Sequence, residues 1–181
     1  MIKKILFILI ILTNLAFLPY LLSPVKPLPD LPNSAKSNLP GDTVQISNVS
    51  AYFTNLSRTE VINFYKANYG GTFRIKLNHP PEKSKEIFVD TIQSYYLEEF
   101  ILPFKESLYI NGFEWEKDVF THPDKRIKNK LIYEDKEYKS KITIRTFPAS
   151  VPKRLISFYL TQLSIIIIFL IYKKIFFTTH E

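Results

Sequence analysis

The chain has no cysteine among its 181 residues. Disulfides, thiolate metal ligands and cysteine nucleophiles are therefore excluded. The redox compartment stays open, because a domain facing an oxidising space can do without disulfides. Glycine is scarce at 4 residues. No Gly-rich phosphate loop, GxSxG elbow or HExxH helix is present. Charge of one sign is never concentrated. The net charge is +7, yet acidic and basic residues are interspersed through the middle of the chain. The densest cluster, Lys125, Arg126, Lys128 and Lys130, is short. Nucleic-acid recognition needs a concentrated basic face, so it is not expected. Attraction to anionic headgroups or wall polymers suits this charge better.

Long apolar runs, by contrast, stand at both ends. Residues 5–22 are apolar except for Thr13 and Asn14. At 1.5 Å per residue they reach about 27 Å, close to the hydrocarbon thickness of a bilayer. The rival reading is a cleaved signal peptide, but the flank Leu21-Leu22-Ser23-Pro24 offers no A-x-A-like site. Residues 155–172 form the second run, closed by Lys173 and Lys174. Two membrane-spanning helices are expected, one at each end. Lys3 and Lys4 at one end and Lys173 and Lys174 at the other place both termini in the cytoplasm. Lys153 and Arg154 argue weakly the other way. The middle is then extracytoplasmic, and the cytoplasmic pieces are too short to fold into an output domain. Polar residues lie at mid-depth in both runs: Asn14 in the first, and Thr161, Gln162 and Ser164 in the second. A side-chain amide in hydrocarbon seeks a partner, and Asn14 with Gln162 is the expected interhelical pair.

The expected layout is an anchor at 1–22, a Pro-rich linker at 23–41, a domain at 42–147, a short linker at 148–154, a second helix at 155–174 and a tail at 175–181. The linker holds Pro24, Pro27, Pro29, Pro32 and Pro40. Such spacing leans to polyproline II and reads as a semi-rigid spacer, rather than as an SH3-type ligand. Residues 42–54 have strand character. Ser57-Arg58-Thr59-Glu60 is a capping box, with Leu56 and Val61 as its hydrophobic staple. A helix follows to about residue 69, with Val61, Ile62, Tyr65 and Tyr69 as its buried stripe and Gly70-Gly71 as its end. Residues 72–77 alternate as a strand, and Asn78-His79-Pro80-Pro81 reads as a break. A second helix is expected over 82–102, where Phe88, Ile92, Tyr96 and Phe100 recur every fourth residue. Asn111-Gly112 reads as a hairpin turn between 107–110 and 113–119, with a short Gly-capped helix after Pro103 as its competitor. Residues 130–134 and 137–147 flank a turn at Asp135-Lys136. The order β-α-β-α-β-β-β predicts an α+β domain, two helices packed on a mostly antiparallel sheet.

Residues able to carry chemistry are few. His79 with Glu82, and His122 with Asp124, each set a histidine near a carboxylate in a Pro-stiffened break. Together they would suffice for zinc with an open position for water. Turn chemistry is the simpler account of both, and no metal or other cofactor is expected. Glu86, Asp90, Glu98 and Glu99 would give the second helix an acidic side, which reads as a solvated face rather than a glycosidase pair. Tyr52, Tyr109, Phe113 and Trp115 read as core rather than groove. The expected role is a non-catalytic accessory or interaction module of the cell envelope, with the bilayer and a membrane or envelope protein as partners. The alternatives are a membrane-tethered hydrolase using His79 and His122, and a ligand-sensing domain that acts through a partner.

Overall fold

Residues 140–148 alternate between apolar and polar positions, the signature of a half-buried strand. In the structure, a computed structural model, they form the strand around which a sheet is assembled. The structure describes residues 2–40, 42, 48–70, 73–88, 91 and 93–177, without the side chains of 2, 3, 6, 176 and 177. The strand character expected at Val44 and Ile46, the stripe positions Val89 and Ile92, and Gly71, Thr72 and Asp90 lie outside the described residues. The chain divides into two units, residues 26–148 and residues 1–25 with 149–181.

The first unit is α+β. Its elements are β1 (Ser34–Lys36), β2 (Val49–Thr54), α2 (Arg58–Asn68), β3 (Ile75–His79), a one-turn α3 (Ser84–Ile87), β4 (Tyr96–Leu102), β5 (Glu106–Glu114), β6 (Leu131–Tyr133), β7 (Lys136–Tyr138) and β8 (Ser140–Pro148). Six strands pair antiparallel in the order β1-β2-β8-β5-β4-β3, and β6 and β7 form a separate hairpin. The capping box forms as its residue types require. Ser57 accepts from the Glu60 backbone, and Glu60 accepts from the Ser57 backbone at 2.8 Å. Gly70, at φ 85°, takes the left-handed conformation that ends the helix. Val61, Ile62, Tyr65 and Tyr69 are buried against Tyr52, Tyr96, Phe100, Leu108, Ile110 and Ile142 on one face of the sheet. The hydroxyls of Tyr65 and Tyr96 are buried there without a partner among the described residues. Burial pushes both phenols well above the usual tyrosine range.

Several expectations are corrected. Among the described residues no single helix runs over 82–102. A short 3-10 turn at Pro81–Lys83 and α3 end at Phe88, whose backbone is extended, and residues 96–102 are β4. A spacing of four residues is one turn of helix and also two repeats of a strand, so Tyr96 and Phe100 share a face in either form. The aromatic and β-branched content of this stretch favours the strand. Asn111-Gly112 is not a turn, because β5 runs straight through it. The hairpin between β4 and β5 turns at residues 103–105 instead. Phe104 there has φ 62°, and Lys105 N–H donates to Leu102 C=O at 2.9 Å. Gly112 has a packing role: it lies opposite Tyr96, and a Cβ at this position would be 2.1 Å from the ring. Asn78 and His79 belong to β3 rather than to a break. The Pro-rich stretch contributes β1, and Leu31 is buried in the core.

The second unit pairs two helices, α1 (Ile2–Leu22) and α4 (Val151–Phe177). Among the described residues one helix, over Val151–Ile175, is long and apolar enough to cross a membrane, and the apolar stretch of α1, Phe7–Leu22, is shorter.

Gly112→Ala is expected to destabilise the sheet domain by about 1–3 kcal/mol, the usual cost of overpacking. Denaturant unfolding of the full chain in micelles, followed by near-ultraviolet circular dichroism, measures it. A second substitution, Tyr96→Leu, should recover part of the loss by making room for the methyl group.

Candidate functional site

Two consecutive carboxylates, Glu98 and Glu99, stand in the middle of β4, and both are buried. Side chains alternate across a strand, so the two point to opposite faces of the sheet. A buried charge is tolerated only when paired and hydrogen-bonded. Each face supplies its own partners.

Glu98 lies on the face covered by α2. Its Oε1 accepts from Arg58 Nη2 at 2.5 Å and Nε at 3.2 Å. Arg58 is the first residue of α2, so the capping box that starts the helix also delivers this guanidinium. The same guanidinium lies 4.8 Å from the centre of the Tyr96 ring and donates to Asn78 Oδ1 at 3.1 Å. Lys76 Nζ stands 3.1 Å from Oε2 as an ion pair without hydrogen-bond geometry.

Glu99 lies on the other face. Its Oε2 is 2.7 Å from His79 Nε2, which faces it from β3. Tyr109 lies directly opposite on β5. Burial, and then the nearby Glu99 carboxylate, push the Tyr109 phenol up to about 12. The Tyr109 ring is edge-on to Phe147 at 5.6 Å, and the Arg145 guanidinium covers Phe147 at 4.7 Å. The set fastens β3 to β4 through His79 and Glu99, and Tyr109 stands beside the same carboxylate from β5.

The metal candidates are not brought together around one point. His79 takes Glu99. His122 Nδ1 lies 3.2 Å from Asp124 Oδ2, and both residues are exposed at the start of the 3-10 segment Pro123–Asn129, which His122 precedes. Glu82 is exposed in the turn after Pro81. Among the described residues no three His, Asp or Glu side chains gather closely enough to hold a metal ion. The acidic side expected of a second helix does not exist, since Glu98 and Glu99 diverge across the sheet and Glu86 pairs with Lys83 at 2.8 Å. Tyr52 and Tyr109 lie on opposite faces, so the four aromatic candidates line no common groove.

In the helical unit, Asn14 Nδ2 donates to Gln162 Oε1 at 3.3 Å and to Ile10 C=O at 2.9 Å. Phe17 stacks on Phe158 with centroids 5.6 Å apart. Arg154 is buried and donates to three carbonyls: Ala149 at 2.8 Å, Leu21 at 3.1 Å and Ser23 at 3.0 Å. Two of these lie at the C-terminal end of α1, where unpaired carbonyls and the helix dipole favour a cation. The register is antiparallel, with 14 beside 162, 17 beside 158 and 21 beside 154. Sequence reasoning singled out the two amides because they interrupt apolar runs. It took Arg154 for a topological charge and Glu98 and Glu99 for surface acids. The available signal was their setting, charges inside runs of aromatic and aliphatic residues.

Compared with protein-family models, with curated proteins and with solved structures, the chain matches none.

Because the Tyr109 phenol is raised, the stability it contributes is fully present below about pH 10 and is lost as pH rises towards about 12. Glu99→Gln removes the carboxylate charge and leaves burial in place. The Tyr109 titration should therefore move part of the way down towards 10. The measurement is the difference in tyrosinate absorbance between each protein and its Tyr109→Phe counterpart. An unmoved midpoint would show that the carboxylate has no hold on the phenol.

Proposed function

We propose that the chain is a two-span membrane protein that presents its sheet domain outside the cytoplasm as a non-catalytic accessory or interaction module of the cell envelope. The observation that carries this reading is the way α1 lies against α4. Polar groups in hydrocarbon are stable only when they satisfy each other. Here Asn14 faces Gln162, and Arg154 occupies the carbonyl end of α1. Such an interhelical amide pair contributes on the order of 1 kcal/mol. The arrangement supports treating α1 as a second span in spite of its shorter apolar stretch.

The orientation rests on Lys3, Lys4, Lys173 and Lys174, which place both ends in the cytoplasm. Lys153 and Arg154 argue weakly the other way, and the carbonyls that bind Arg154 leave its charge in place. Binding is favoured over catalysis because buried carboxylates of the domain are already paired with its own cations, Glu98 with Arg58 and Lys76 and Glu114 with Lys117. The partners under this reading are the bilayer and a membrane or envelope protein.

The absence of cysteine makes the topology directly testable. In intact cells a membrane-impermeant maleimide is expected to label Lys128→Cys and to leave Ile2→Cys and Thr179→Cys, which keep all four terminal lysines, unlabelled until the membrane is permeabilised. Labelling of either terminal site in intact cells would overturn the orientation. For the role itself, in-cell crosslinking followed by purification of the tagged full chain is expected to recover one specific envelope partner. Its yield should fall in Asn14→Leu and Gln162→Leu. No enriched partner at native expression would end the module reading.

A further inference from the structure

β3 is one edge of the six-stranded sheet. It pairs with β4 and, among the described residues, with nothing else. In an antiparallel pair every second residue turns its N–H and C=O away from its neighbour, so the outer side of β3 presents a row of backbone donors and acceptors. The opposite edge, β1, is only 3 residues long. Proteins protect exposed edges with prolines, bulges or cover. β3 contains no proline, and its register with β4 is unbroken from Ile75 to His79. Its large apolar side chains are open to solvent: Ile75 is 49% and Leu77 40% exposed, and Phe73 just before the strand is 44% exposed. Both strand residues lie on the Glu99 face.

The charges select what this edge accepts. On the α2 face, Arg58 and Lys76 share one carboxylate, Glu98, and Arg74 lies over the Phe100 ring. Arg74 is bonded to carbonyls of Lys66 and Tyr69, which leaves its charge uncompensated. A second copy of the chain paired edge to edge would set Lys76 near its own counterpart, and like charges facing across strands are unfavourable. An acidic strand meets the same cations favourably.

We propose that β3 is the docking edge of the domain, and that it accepts an extended segment of a partner protein in which apolar and acidic residues alternate. Main-chain hydrogen bonds to the outer side of β3 hold the added strand. Its apolar residues cover Ile75 and Leu77, and its carboxylates face Arg58, Arg74 and Lys76. Strand addition of this kind draws affinity from the backbone and specificity from alternate side chains. The proposal rests on the reading of the domain as an interaction module and names the chemistry of its partner.

The test uses the full chain in lipid nanodiscs and a labelled synthetic peptide of alternating valine and glutamate. Anisotropy is expected to show saturable binding, and amide exchange at residues 75–79 is expected to slow. A peptide of alternating valine and lysine should not bind. Ile75→Ser, at a solvent-exposed position, removes the apolar contact without changing charge and should weaken binding by about tenfold. Leu77→Ser supplies the same reading should the first variant fail to fold. Unchanged exchange at 75–79, equal binding of the lysine peptide, or self-association of the chain through β3 would each overturn the proposal. Failure here is separable from failure of the module reading. An envelope partner whose crosslinks map to another face of the domain sinks the docking edge and leaves the module standing.

Discussion

The pairing of β5 with β8 is the contact on which the domain depends. Both strands are nine residues long, and they are in register from Glu106 opposite Pro148 to Glu114 opposite Ser140. Everything else in the sheet attaches to one or the other. β4 and then β3 extend from β5, while β2 and then β1 extend from β8. The face that receives α2 is built from the same two strands, through Leu108, Ile110, Ile142 and Ile144. On the reverse face the connecting segments close over them. Tyr133 stacks on Phe53 at 4.6 Å, Ser94 bonds Asn111 at 2.7 Å, and Arg145 bonds the Ile87 carbonyl. The hydrophobic gain is therefore shared by two layers whose common member is the β5–β8 ladder.

On this frame the sheet carries an unusual load at β4. Two adjacent buried carboxylates would be costly if either were left alone. The strand resolves this by turning them to opposite faces, each with its own cations or donors. The arrangement also explains why β3, mostly exposed along its length, stays in place. Lys76 and His79 are bound to the carboxylates of β4 from above and below. Electrostatics fasten the edge where apolar contacts are few.

Local features were legible in the sequence and distant ones were not. The cap of α2 is encoded within four residues, Ser57 to Glu60, and it forms as the pattern implies. The turn after β6 falls one residue earlier than Asp135-Lys136 implies, at Glu134 and Asp135, and the single strand expected over 137–147 is divided into β7 and β8. The readings that failed depended on ambiguous signals. A four-residue spacing at Tyr96 and Phe100 satisfies two periodicities. The glycine of Asn111-Gly112 is required by a ring from another strand, and not by a turn. The candidate site was hidden for the same reason. Arg58 and Glu98 are 40 residues apart, and His79 and Glu99 are 20 apart. Packing of α2 on the sheet brings the first pair together, and the pairing of β3 with β4 the second. Asn14 and Gln162 were visible at a far greater separation because an amide inside an apolar run is conspicuous wherever its partner lies.

The position of β8 has a further consequence, for the order of events when the chain is made. The strand at the centre of the sheet is the last of its strands to leave the ribosome. Until residues 140–148 emerge, β1 with β2 and β3 with β4 and β5 are two fragments with no shared ladder, each exposing an edge meant for β8. Sheet closure by pairings that span 86 residues, as between Ser140 and Thr54, is slow because the loop must be closed before the contacts form. The domain is thus assembled after synthesis of nearly its whole length. In that interval, keeping the two half-sheets apart from other nascent strands is a task for the cell rather than for the sequence.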